Sequence, residues 1–282
     1  INSNRAEIQV WESKLTHCCK LLSEKGDLTS VYSVQFFLRE YLSAAKTAIL
    51  MLRNELSVKE QLKFLDKAED CFKAYLEQKE GDETKITEIN TRISHIHLQR
   101  QILEFLKSKQ IKDNNNIHIF SSKTDKSTVI KMLYQIDSVE CLPIIRAIRA
   151  TFLRSYTETY LPLINILLKA QPAGNITSWF PKLIKLLGEV PDSQTDELLL
   201  SVCNDLKGEQ KSFERILAIM KDDRTKIKAN VKAGYLKNAY ILAVNKKMRE
   251  EIVELEKECE KQGDTQVREF CRKYLQHNKS PA

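Results

Sequence analysis

Proline is absent from residues 1–142, and glycine occurs there only at Gly26 and Gly81. Those two residue types punctuate turns, loops and strand ends. Their scarcity excludes a meander of short strands. Cysteine is present seven times, at 18, 19, 71, 141, 203, 259 and 271, but never as C-x-x-C. An odd, scattered set lacks the paired spacing of a disulfide framework or a structural zinc site. Buried free thiols are expected. Long apolar runs are missing too: the longest, over 160–168, holds Pro162 and Asn165 and is far short of a bilayer span. The opening residues form no signal-peptide core, and the chain begins with Ile1 instead of methionine. A piece of a longer cytoplasmic protein is expected. Seven dispersed glycines offer nothing from which to build a phosphate-cradling loop, and neither G-x-S-x-G nor H-E-x-x-H occurs.

What remains is helical texture. Apolar residues make up 42% and charged residues 29% of the 282, close to ordinary globular usage. Ile8, Trp11, Leu15, Cys18 (or Cys19) and Leu22 fall on one stripe of a first helix that Gly26 stops. Asp27 or Thr29 caps a second helix running from Leu28 to about Asn54, where Ala44, Ala45 and Ala48 allow a neighbour to approach closely. Ser57 and Glu60 form a capping box before a third helix through Leu65, Ala68 and Phe72. Gly81-Asp82 separates it from a fourth, ending near Leu106. Asn114, Asn115 and Asn116 mark a linker over 113–123, which contains the one strand-like alternation, Ile117-His118-Ile119-Phe120. Thr124 or Asp125 caps the next helix. Beyond it, five prolines punctuate shorter helices expected over 137–153, 157–170, 176–188, 193–207, 210–222, 249–262 and 264–277, with two more between 224 and 247.

The pattern predicts an all-α protein: an α-solenoid of stacked antiparallel helix pairs, TPR- or HEAT-like with irregular repeats. Two arrays, 1–112 and 124–282, flank the linker and are expected to run on as one solenoid.

Chemistry is hard to assemble from these residues. His95 and His97 stand two apart, on different sides of a helix, where metal chelation needs a spacing of three or four. His17 beside Cys18 and Cys19 reads as helix surface next to core. Asp222-Asp223 and Glu250-Glu251 sit at helix starts and complement the dipole. No catalytic, metal or cofactor-binding residues are assigned, and an enzyme is not expected. Trp179, Phe180 and the lysine–leucine run after Pro181 read as an ordinary packed helix.

Net charge is +7, and one segment concentrates it. Over 224–249 there are eight basic residues, Arg224, Lys226, Lys228, Lys232, Lys237, Lys246, Lys247 and Arg249, and no acid. Six glutamates follow within 250–260. These residues read first as solvated faces partly satisfied by the adjacent acidic helix; as a functional surface, the segment is the candidate contact for an acidic protein partner or an anionic membrane. Nucleic acid is not expected, because Tyr235 and Tyr240, the aromatics of this segment, belong to the packed side and do not interleave with the lysines to stack on bases.

The last residues carry a resemblance. Asp222-Asp223 precede a helix with Leu236, Ala239, Tyr240, Ala243 and Val244; then come the Gly263-Asp264 turn and a final helix bearing Val267, Cys271 and Leu275. This ordered set resembles the C-terminal helical region of the spastizin family, large FYVE-finger proteins of endosomes and lysosomes linked to hereditary spastic paraplegia. Asn245 departs from the lysine of the family pattern. The stretches 34–48 and 65–69 are loosely similar to its repeated-helix region. The resemblance implies a non-enzymatic scaffold, peripheral on late endosomes and lysosomes, that assembles with spatacsin and the fifth adaptor-protein complex. Roles in lysosome reformation, autophagy and cytokinesis follow from the same likeness. A tethering-complex subunit of vacuolar-sorting type shares the texture without the Leu-x-x-Ala-Tyr motif, and a helical module binding anionic membrane is the other alternative.

Overall fold

A computed structural model of the chain describes residues 2–55, 57–78, 83–111, 117–120, 125–169, 176–206 and 208–277; the side chains of 2–9 and 176–178 lie outside that description. The described residues form helices and connecting turns, with no strand among them. The chain divides into two compact units, Ile1–Leu153 and Arg154–Ala282.

The first unit holds α1 (Asn2–Glu24), α2 (Leu28–Phe37), α3 (Tyr41–Asn54), α4 (Val58–Gln78), α5 (Glu83–Ser108), α6 (Lys126–Ile136) and α7 (Leu142–Thr151). Each packs on its successor from α1 to α5, then α5 on α7 and α6 on α7. The closest pair is α3 with α4, where Ala44, Ala45 and Ala48 are fully buried as their small size predicts. The second unit holds α8 (Tyr156–Lys169), α9 (Ile176–Leu187), α10 (Asp192–Val202) with a 3-10 turn (Cys203–Leu206), α11 (Gln210–Ile219), α12 (Asp223–Lys232), α13 (Leu236–Asn245), α14 (Arg249–Gln262) and α15 (Thr265–His277). Here α8 packs on α9 and α10, α10 on α12, α12 on α13 and α14, and α13 on α14 and α15. Contacts made mainly to the next helix and the one after are the mark of a repeat stack, in which each hairpin buries its apolar face against its neighbours. The repeats are irregular, since α8, α10, α12 and α14 begin at 156, 192, 223 and 249. The all-α, helical-repeat class expected of the sequence is the observed one.

Helix ends follow a common device. Beyond α12, the Tyr235 N–H reaches the Asn230 carbonyl at 2.8 Å and the Gly234 N–H that of Val231 at 3.1 Å, with Gly234 at φ 84°. This is a Schellman closure, which satisfies carbonyls otherwise orphaned at a helix end. The same pair of bonds follows α13, but Lys247 (φ 55°) occupies the left-handed position. Arg39 (φ 58°) does so after α2. A side chain there costs about 1–2 kcal/mol.

That closure at Arg39 corrects one expectation: the single helix over 28–54 is two, broken between Phe37 and Tyr41. No glycine or proline marks the break. Packing decides it, because the Thr47 hydroxyl donates to Gln35 Oε1 at 2.7 Å and straps α2 across α3. Two smaller corrections are local. The Ser57 N–H donates to Glu55 at 2.9 Å while Glu60 pairs with Lys63, so no reciprocal box forms there. A true box forms at Ser155 and Glu158, opening α8, with both bonds at 3.1 Å. On α1, Trp11 is 63% exposed and Cys18 is exposed, leaving Leu15, Cys19 and Leu22 as the half-buried stripe. The five other cysteines are buried free thiols.

The expected linker falls inside the first unit, since α5 and α7 on either side of it pack together; residues 112–116 and 121–124 lie outside those described. Its alternating segment does not form a strand. Gln99, fully buried on α5, donates from Nε2 to the Ile117 carbonyl at 3.1 Å and accepts from the Ile119 N–H at 2.9 Å. One side-chain amide thus replaces the neighbouring strand. Ile117 and Ile119 are buried against the helices, and Arg53 donates to the Phe120 carbonyl.

Candidate functional site

The positions that carry the family likeness are mainly core. Leu236, Ala239, Ala243, Val267 and Cys271 are buried in one apolar cluster with Ile227, Ile252, Leu255 and Cys259, and Tyr240, Val244 and Leu275 pack against it. Asp222 caps α12, accepting from the Thr225 N–H at 2.8 Å and its hydroxyl at 2.7 Å. Those bonds hold its carboxyl below the usual range. Asp223 binds Lys246 at 2.7 Å, tying the start of α12 to the end of α13, and this lysine in turn lowers the Asp223 carboxyl. Gly263 ends α14 at φ 77°, and Asp264 caps α15 by accepting from the Val267 N–H at 3.0 Å. Each motif residue has a folding role, which is why the motif marks kinship more sharply than chemistry.

The basic segment is partly paired. Arg224 meets Glu251 at 2.9 Å and Glu250 at 3.4 Å. Lys226 lies 3.6 Å from Asp223, the carboxylate that also takes Lys246. Acids just before and just after the block therefore fold back onto it. Arg249 is half-buried at the start of α14. Lys228, Lys232, Lys237 and Lys247 are exposed. None of these four forms an ion pair among the described residues.

Two of the exposed lysines edge a groove. Leu200 of α10, Ile227 and Val231 of α12, and Leu255 of α14 floor a hollow of about 280 Å³. Lys228 and Lys232, one helical turn apart on α12, stand along one edge; Glu251, Glu254 and Glu258, at turn spacing on α14, stand along the other. A neighbouring hollow of about 530 Å³ shares Leu200 and Lys228 and adds Asp192, Asp196 and Glu197 of α10. Asp196 accepts from the backbone N–H groups of Lys221 and Asp222 at 2.7–3.1 Å and so fixes the turn into α12. An apolar floor between edges of opposite charge fits an amphipathic helix, whose apolar face fills the floor while its flanks pair with the rims. Sequence reading found the lysine edge and missed the glutamate edge. The three-four spacing of Glu251, Glu254 and Glu258 was visible, but its position opposite α12 was not.

No nucleophile–base pair lines this groove. Among the described residues, no group of three or more histidine, cysteine or acidic side chains is placed to hold a metal ion. Nor, among the described residues, is any helix long and apolar enough to cross a membrane.

Comparison with known proteins gives a consistent picture. The chain is 21% identical to zinc finger FYVE domain-containing protein 26, spastizin, of Bos taurus over 99% of its own length, and 21% identical to the Rattus norvegicus protein over 95%. It spans only 12% of the length of each. No solved structure matches. Residues 156–276, nearly the whole described second unit, match the family of "ZFYVE26-like, TPR repeats", and the chain is similar to the helical-repeat region of spastizin, as its closing motif indicated.

Proposed function

We propose that the chain is a non-enzymatic scaffold in endosome and lysosome membrane traffic, a helical-repeat module that binds other proteins through the groove between α10, α12 and α14. The observation that carries this reading is the apolar floor of that groove, bounded by lysines on α12 and glutamates on α14. The resemblance to spastizin supports the finer assignment: spatacsin and the fifth adaptor-protein complex as partners, late endosomes and lysosomes as the place, and lysosome reformation, autophagy and cytokinesis as the processes served.

The test is capture of purified spatacsin, and separately of the adaptor complex, by the chain. Leu200→Arg and Val231→Arg place charge on half-buried floor positions and are expected to weaken capture at least ten-fold while circular dichroism stays unchanged. Capture that survives both substitutions removes the groove from the reading; no capture at micromolar concentration removes these partners. The unpaired Lys228, Lys237 and Lys247 favour a second reading, peripheral contact with anionic membrane. Flotation with phosphatidylserine vesicles at low salt measures it, and a chain left at the bottom of the gradient ends it.

A further inference from the structure

The first unit contains a cationic hollow that the sequence does not single out, because its charges come from helices far apart in the chain. Lys46 and Arg53 lie on α3, and Arg92 and His95 lie on α5. Together they line a hollow of about 520 Å³ that has no acidic residue in its wall among the described residues. Its remaining wall is apolar: Ile49 and Leu50 from α3, Ile119 and Phe120 from the docked segment, and Phe152 after α7. Leu50 is 42% exposed, an apolar side chain left in solvent at the mouth.

The cations are held in place by their surroundings. Arg53 is steered by its bond to the Phe120 carbonyl. Arg92 is anchored one turn back on Glu88, at 2.6 Å, and that carboxylate lines an adjoining hollow with Lys46, Lys85 and Arg92. His95 stacks on Phe152 with ring centroids 4.9 Å apart, and Lys126 stands 5.2 Å from the same phenyl ring. Lys46 is exposed and forms no ion pair among the described residues. Burial, then the charges of Lys126 and Arg92, lower the His95 imidazole. That ring is neutral near pH 7, and the positive field comes from the lysine and the two arginines.

We propose that this hollow binds a peptide segment of a partner protein in which an anionic side chain, carboxylate or phosphate, adjoins an apolar one. Two guanidinium groups and Lys46 line one recess; Arg53 keeps N–H donors beyond its bond to the Phe120 carbonyl, and Arg92 keeps Nη1 beyond the two bonds, from Nε and Nη2, that hold it to Glu88. The apolar wall then selects for a neighbouring aliphatic or aromatic residue over a purely hydrophilic ion. The recess also selects among anionic surfaces. A bilayer offers its headgroups on a broad front, whereas a cavity of this size admits a few side chains. The inference rests on the interaction-module reading but uses a different surface from the groove of the second unit, so the two can fail separately.

The test uses the whole chain and three degenerate peptide pools, in which glutamate, phosphoserine or glutamine is fixed beside leucine. Expected is retention of the glutamate or phosphoserine pool over the glutamine pool, the stronger of the two identifying the anion. Lys46→Gln combined with Arg92→Gln is expected to weaken retention at least ten-fold, and Leu50→Gln several-fold. Lys228→Gln with Lys237→Gln, in the basic segment of the second unit, is expected to leave it unchanged. Both altered cations of the first unit are solvent-accessible, and unchanged circular dichroism confirms that the fold survives. The proposal is overturned by equal retention of all three pools, by retention that ignores Lys46 and Arg92, or by their loss abolishing only binding to phosphatidylserine vesicles. Spatacsin capture through Leu200 and Val231 is read in parallel, so failure here leaves that result standing.

Discussion

Replacing Gln99 by leucine should release the segment 117–120 from α5. The side chain is fully buried, and its amide makes two bonds to backbone groups of that segment, at 3.1 Å to the Ile117 carbonyl and 2.9 Å from the Ile119 N–H. Leucine fills nearly the same volume, so the loss is chiefly polar. Each backbone group left buried without a partner costs about 1–3 kcal/mol, giving a penalty of about 2–4 kcal/mol after local relaxation. Undocking offers an escape, at the loss of burying Ile117 and Ile119, about 1.5–3 kcal/mol each. The two figures are comparable, so local release competes with strain. Hydrogen exchange at the Ile119 amide reads it directly. A loss of about 2 kcal/mol corresponds to exchange about thirty-fold faster. Gln99→Glu supplies the control. A protonated carboxyl both donates and accepts, as the amide does; the ionised form has lost the donor and buries a charge. Burial raises the folded-state pKa of that glutamate, so its stability is greatest in acid and falls as pH rises above about 4.3. An Ile119 amide that exchanges in Gln99→Leu as in the parent chain refutes the reasoning. So does a Gln99→Glu chain that acid fails to rescue.

Glu69 ties α4 to α5. Burial would raise its carboxyl, but bonds from Lys73 at 2.7 Å, Arg100 at 2.8 Å and His97 at 3.2 Å outweigh that and hold it at about 2. The depressed pKa stabilises the fold above the unfolded value and ceases to do so as pH falls toward 2. With Lys73 and His97 half exposed, Glu69→Gln is expected to lose about 1–2 kcal/mol at pH 7 and little at pH 2–3, by urea titration; a deficit equal at both pH values would show that charge is not its source. Lys247→Gly relieves a left-handed residue that makes no ion pair among the described residues, and should gain about 0.5–1 kcal/mol in thermal unfolding. A lower melting temperature would contradict that. His118 is 4% exposed, neither ring nitrogen has a partner among the described residues, and burial followed by the charge of Arg53 lowers its imidazole. Stability is therefore lost as pH falls below about 6.5, where the unfolded histidine takes up a proton. His118→Leu should add about 1 kcal/mol at pH 7 and flatten that acid limb, which parallel melts at pH 7 and pH 5 would detect.

Local sequence information determined what is local in this protein. Few glycines and prolines, and apolar residues three and four apart, make helices wherever the chain runs. Caps such as Asp222 and Asp264, and the closures at Gly234 and Gly263, follow from a few neighbouring residues. The stripe of Leu236, Ala239 and Ala243 was legible for the same reason, and with it the likeness to spastizin. Packing decided the rest. The break between α2 and α3 rests on a non-glycine closure at Arg39 and on Thr47 reaching Gln35 across twelve residues. The alternation at 117–120 suited a strand, yet a glutamine eighteen residues earlier satisfied its backbone. Charge divided in the same way. A run of eight cations was plain in the sequence, but their partners Asp223, Glu250 and Glu251 were assigned only when helices folded back. The hollow of Lys46, Arg53 and Arg92 existed in no linear stretch at all, because electrostatic fields add over distance in space and take no account of distance along the chain.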